Sequence, residues 1–202
     1  MNLGPNRDDD LTAFSSSQVW NFAATTAVLF AVYLASYIIV GVVVSPLQEM
    51  ILPDVTRFAS LLFLPHGVRV LSASLMGAKS VPAMMLGELA GNYLFWHNAD
   101  PITLALSALI AGTVTWLVFE GLRLLDVNAF YRHRTDEPPS FHALLLAGLI
   151  AAAANAFLLA SLVEPQTGSG HVTELIAAYI TGDVTGMLAM VALAHYFFLR
   201  GR

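Results

Sequence analysis

The chain has 202 residues, 57% of them hydrophobic and 11% charged, with a mean hydropathy of +0.69. Soluble domains carry about a quarter charged residues, so this composition excludes an ordinary water-soluble fold and points to an integral membrane protein. A formal net charge of −5 with no basic stripe argues against a nucleic-acid partner, and the lack of cysteine excludes disulfides, thiolate metal sites and cysteine nucleophiles.

Residues 1–18 form a polar N-terminal tail containing the net acidic run Asn6-Arg7-Asp8-Asp9-Asp10. A signal peptide needs a basic start and an apolar stretch of only about 7–15 residues, so the run that follows reads as an uncleaved anchor. Residues 19–202 read as one membrane domain. A bilayer crossing takes about 20 apolar residues at 1.5 Å each, and the apolar runs predict six spans. They are Val19–Val44, Phe58–Met76, Ser80–Trp96, Ile102–Leu125, Phe141–Val163 and Val172–Leu199. The breaks between them carry turn chemistry: Ser45-Pro46 and Leu52-Pro53-Asp54, Gly77-Ala78-Lys79, His97 to Pro101, the polar loop Asp126–Ser140, and Glu164–Gly170.

Orientation follows from Lys and Arg in the short loops, because positive charge tends to stay cytoplasmic. Six spans put Arg7, Lys79, Arg123, Arg132, Arg134, Arg200 and Arg202 on one side and only Arg57 on the other. Both termini are therefore expected in the cytoplasm, and the fold class is an all-α, six-helix, multi-pass membrane bundle.

Ionisable groups at mid-bilayer cost about 2.5–3.5 kcal/mol each on insertion scales, so those retained need partners or a function. Counted inward at 1.5 Å per residue, Arg69 and Asp183 lie about 16 Å deep, and His66, Glu88 and Asn155 about 12 Å deep. Five polar groups from four spans thus share a depth. Asn92 lies one turn from Glu88 on the same face and joins them. These six residues are the candidate ligand-binding set. The alternative is structural: Arg69 paired with Asp183 or Glu88 would pin helix packing without binding anything. One Arg against two carboxylates leaves an excess negative charge, to be neutralised by protonation, by His66 or by a cationic ligand.

Pro65-His66-Gly67 falls inside the second span, where proline removes a backbone donor. Such an interruption is tolerated where protein or a water cavity satisfies the freed groups, and transporters place binding sites there; a plain proline kink is the bland alternative. Small-residue faces at Ala23, Ala27, Ala31 and Ala35, at Gly87 and Gly91, and at Gly182 and Gly186 predict close helix contacts. The alanine stripe is the candidate contact with another subunit, because its span lacks interior charge. The other histidines show no metal-ligand spacing, and Gly182–Gly186 lacks the preceding strand of a phosphate loop. No catalytic or metal residues are assigned, and no cofactor is indicated.

The stretch Phe63-Leu64-Pro65-His66-Gly67, with Gly77, Pro82, Gly87 and the later Gly182-Asp183 and Gly186, resembles the MASE1 family of bacterial integral membrane sensory domains. The likeness covers roughly residues 58–96 and 176–199. It implies a non-enzymatic sensor of the bacterial inner membrane that binds a small ligand and signals through a partner, because MASE1 domains usually precede an output domain and this chain ends at its sixth span. Six spans, cytoplasmic ends and the alanine stripe also resemble substrate-binding subunits of energy-coupling-factor transporters. The expectation is therefore a sensor or ligand-binding membrane domain, with a transporter subunit or an accessory subunit of a larger complex as the alternative.

Overall fold

The structure, a computed structural model, describes residues 16–52, 60–96, 100–131, 139–167 and 172–200. The expected polar tail, Arg57, and the Arg132 and Arg134 cluster of the long loop lie almost wholly outside these residues. Helix α1, Ser16–Ile39, runs through a π-helical turn at Val40–Val44 into α2, Ser45–Ile51. Pro46 accounts for that turn. It cannot donate to the carbonyl four residues back and its ring crowds that oxygen, so the helix widens by one register just ahead of it. Next come α3, Leu64–Met76, a 3-10 turn at Gly77–Ser80, and α4, Val81–Phe95. Three longer helices complete the chain: α5, Pro101–Leu124; α6, Phe141–Thr167; and α7, Val172–Arg200. The described residues contain no strand.

Five helical stretches are long and apolar enough to cross a membrane: Ser17–Ile51, Leu64–Phe95, Pro101–Leu124, Phe141–Val163 and Val172–Phe197. The second of these reverses direction. Gly91 meets the Tyr37 ring and Gly87 the Tyr33 ring, so α4 runs parallel to α1. Tyr37 packs on Phe63 at 5.4 Å between ring centroids, while Tyr33 packs with Val68, so α3 runs antiparallel to α1. The reversal is made at Gly77, whose φ of +57° a side chain would strain. The remaining helices alternate: α5 runs against α4 (Asn92 to Ser107, Gly112 to Met85) and α6 against α7 (Gly148 to Met187, Val163 with Leu175). Neighbour contacts close a ring in the order α1, α3, α7, α6, α5, α4.

The second expected span, Phe58–Met76, needs correction. Its helix begins only at Leu64, which puts Pro65 in the first turn, where a missing N–H costs nothing. Pro65 therefore puts no kink inside α3. A short non-helical segment, residues 60–63, precedes α3 and lies against α7. Its backbone groups are met by protein: Leu61 N donates to Gln48 Oε1 at 2.7 Å, Phe63 N donates to Gly182 O at 2.9 Å, and Thr185 Oγ1 donates to Leu61 O. Gly182 and Gly186 permit this because a Cβ on either would collide with the backbone of Ser60 or Phe63. The small face on α7 thus receives extended chain together with α3.

At the opposite end, Val70, Phe119, Leu122, Ala129, Ala143, Leu144 and Met187 form the largest apolar cluster. The chain leaving α5 is tied down there by Tyr131 N to Ser74 O and Ser74 Oγ to Ala129 O, both 2.8 Å. Outward faces carry Trp20, Val42, Leu47, Met50, Ile102, Leu117, Phe157 and Phe197 exposed, the apolar exterior that a lipid bilayer solvates. Ala23, Ala27, Ala31 and Ala35 also face outward.

Candidate functional site

Fourteen polar or charged residues are buried among the described ones, and all six expected site residues are among them. Their contacts divide into two hydrogen-bonded groups. The first joins α3, α5, α6 and α7. From α3, Arg69 reaches back toward the start of its own helix, as helical side chains tilt, so that its guanidinium carbon lies 5.6 Å from the centre of the Phe63 ring. Its Nη1 donates to Asn155 Oδ1 at 3.3 Å and to Ala111 O at 3.4 Å. Asn155 Nδ2 in turn donates to Asp183 Oδ2 at 3.0 Å. The amide therefore bridges cation and anion, with its oxygen toward the donor and its nitrogen toward the acceptor. Arg69 Nη2 and Asp183 Oδ1 are 3.7 Å apart, a charge contact without a hydrogen bond. His66 completes the group, with Nδ1 3.3 Å from Asp183 Oδ2 and Nε2 3.2 Å from Gly148 O.

The second group joins α1, α4 and α5. Tyr33 OH donates to Glu88 Oε2. One turn further along, Tyr37 OH donates to Asn92 Oδ1 at 2.7 Å, Asn92 Nδ2 donates to Ser107 Oγ at 2.7 Å, and Ser107 Oγ donates to Leu104 O at 2.9 Å. Space for the two tyrosines comes from Gly87 and Gly91, where a Cβ would lie 2.5 Å from either ring.

Aromatic contacts connect the groups. Phe63 touches both Arg69 and Tyr37, and Tyr37 lies 6.2 Å from Tyr33. Glu88 is within electrostatic reach of Arg69 and Asp183, yet no ion pair joins it to Arg69 among the described residues. Of the two carboxylates expected to compete for Arg69, Asp183 makes the contact and Glu88 is held by Tyr33. Asn92 sits beside Glu88 as expected, but bonds to Tyr37 and Ser107.

The first group is not fully satisfied: Arg69 is 1% exposed with neither Nε nor Nη2 hydrogen-bonded, and His66 Nδ1 has no hydrogen-bond partner either. A buried guanidinium has five N–H donors in a fixed fork, and buried donors are ordinarily satisfied. The chain matches no family model, no curated protein and no solved structure.

Sequence reasoning missed Tyr33 and Tyr37, because a search for charge passes over hydroxyls. The signal was present: Tyr33-x-x-x-Tyr37 has the same spacing as Gly87-x-x-x-Gly91, rings on one helix matching gaps on another. The carbonyls of Ala111 and Gly148 had no sequence signal, because any residue supplies a carbonyl.

Among the described residues no three His, Cys, Asp or Glu side chains are grouped to hold a metal ion. A separate cavity of about 530 Å³ opens at the far end of the bundle, lined by Gly77, Glu120, Arg123, Asp126, Asn128 and Phe130. Its Glu120–Arg123 pair, 2.6 Å apart, is largely solvent-facing and contributes little.

Proposed function

We propose that this chain is a non-enzymatic, multi-pass protein of the bacterial inner membrane that binds a small polar ligand at the Arg69–Asn155–Asp183 centre. In this reading α1 with α2, α3, α4, α5, α6 and α7 make six crossings, and both termini and the Gly77 turn lie in the cytoplasm. Neither α3, with 13 residues, nor α4, with 15, reaches the length of a lone span. Residues 60–63 extend the first arm, and the unlike running directions of α3 and α4 support two crossings. The ligand comes from the outer side, where residues 60–63 leave the helical pattern, and is either sensed there, in the manner of the MASE1 domains the sequence resembles, or handed onward.

The observation that carries this reading is the pair of free donors on Arg69. A buried cation that only pins helices is expected to spend its donors on them, as Nη1 does on Ala111 and Asn155. Nε and Nη2 remain free to meet an acceptor on a guest. The outward-facing alanine stripe of α1 favours a second reading in which a membrane partner docks there, as in a transporter subunit or an accessory subunit of a larger complex. The test is purification in mild detergent, mass spectrometry of co-purifying small molecules and chains, and a thermal-shift screen with small polar compounds. A compound that raises the melting temperature of the native chain, but not of Arg69→Met, supports ligand binding. A screen that finds only compounds acting equally on both variants contradicts it.

A further inference from the structure

Hydrogen positions around His66 lead to a second conclusion. Its Nε2 lies 3.2 Å from Gly148 O. A carbonyl accepts and never donates, so Nε2 carries a hydrogen. Its Nδ1 lies 3.3 Å from Asp183 Oδ2, which already accepts from Asn155 Nδ2. A neutral imidazole has a single N–H, here committed to Gly148, and an ionised carboxylate only accepts. Without another proton, two lone pairs lie 3.3 Å apart in a site in which His66 is 0% and Asp183 3% exposed, and Nδ1 has no hydrogen-bond partner. Among the described residues no third His, Cys, Asp or Glu side chain is grouped with this pair to hold a metal ion there.

The charge count also calls for a proton, and by itself does not say which group holds it. With their ordinary charges the buried groups Arg69, Asp183 and Glu88 sum to one positive and two negative, a net of −1. The other titratable groups facing them are Tyr33 and Tyr37 from α1 and Tyr179 from α7, which are neutral as phenols. From α5 and α6 come a carbonyl at Ala111 and the amide of Asn155, without charge. Uncompensated charge at this depth is expensive, and one added proton brings the sum to zero.

We propose that His66 and Asp183 form a proton-binding site, with one exchangeable proton held between Nδ1 and Oδ2. The proton comes from water and returns to it; no covalent bond to a heavy atom changes and nothing is oxidised or reduced. The centre is neutral with the proton and singly negative without it, so occupancy sets the charge that a guest meets beside Arg69. That consequence rests on the ligand-binding reading, whereas the proton itself does not.

The test uses the full chain with His97, His133, His142, His171 and His195 replaced by Gln, so that 15N-labelled His66 is the sole imidazole, measured in lipid bilayers with no ligand added. Nitrogen chemical shifts separate protonated from bare ring nitrogens. Two results support the site: both nitrogens protonated, or Nε2 protonated with Nδ1 accepting alongside an infrared carboxylic-acid band that Asp183→Asn abolishes. In either case raising the pH must convert the signal to Nε2–H with no carboxylic-acid band. A neutral ring protonated on Nδ1 alone, beside an ionised Asp183, overturns the proposal, as does a pattern that stays constant with pH. If the five-fold variant does not fold, His66→Asn in the otherwise native chain identifies the same signals by difference. Since no ligand enters the experiment, its failure leaves the thermal-shift screen untouched, and a blank screen leaves this result standing.

Discussion

Asn155 shows how much one side chain settles in this bundle. Its amide gives an acceptor to Arg69 and a donor to Asp183, and hydrogen bonds to charged groups contribute about 1.5–3 kcal/mol each. Asn155→Leu, close in size and unable to bridge, should therefore lower stability by about 3 kcal/mol or more, read as a fall in detergent melting temperature. Tyr33→Phe deletes only the hydroxyl that serves Glu88 and should cost about 1–3 kcal/mol, the penalty for leaving a buried acceptor unmet. Should Tyr33→Phe melt like the native chain, the Tyr33–Glu88 bond contributes nothing. The sequence revealed the ionisable half of this site because charge is rare in an apolar chain. It concealed Tyr33, Tyr37 and the pairing itself: depth along a helix can be counted from sequence, but rotation about the axis cannot.

At the scale of elements, glycine spacing decides where helices approach. A Cβ at Gly186 would strike the backbone of Phe63, whereas one at Gly121 meets nothing within 4 Å. Gly186→Ala should therefore destabilise by at least the 1–3 kcal/mol typical of overpacking, because backbone cannot step aside as a flexible side chain can. Gly121→Ala should be neutral or stabilising by up to about 1 kcal/mol, since alanine is the better helix former. Equal melting temperatures for the two variants would contradict the packing of α7 on residues 60–63. The long apolar helices were legible from hydropathy alone. The start of α3 was not: Phe63-Leu64-Pro65 reads as continuous apolar sequence, and residues 60–63 find their partners elsewhere in the chain, at Gln48, Gly182 and Thr185.

For the whole molecule, the number of bilayer crossings is read by labelling. The native chain contains no cysteine, so single cysteines report sidedness cleanly. In the six-crossing arrangement, Lys79→Cys and Asp126→Cys should react with a membrane-impermeant maleimide only from the cytoplasmic face, and Asp100→Cys only from the outer face. If Leu64–Phe95 crossed once, position 79 would sit in mid-membrane and be labelled from neither side. The Lys and Arg asymmetry predicts the orientation and the antiparallel course of α3 and α4 supports the count. Neither follows from span length, because each arm is shorter than the hydrocarbon core.

The buried centre serves either a guest or helix packing. A double-mutant cycle on Arg69 and Asp183, with melting temperature and guest retention both measured, separates the two. Removing one partner of a buried pair typically costs about 3–5 kcal/mol, while removing both is often close to neutral. Arg69→Met and Asp183→Asn should each lower the melting temperature, and the double variant should recover most of it. The recovered protein should no longer retain the small molecule that co-purifies with, or stabilises, the native chain. A double variant that folds and binds as the native chain does would contradict the account and leave Arg69 and Asp183 as a packing device.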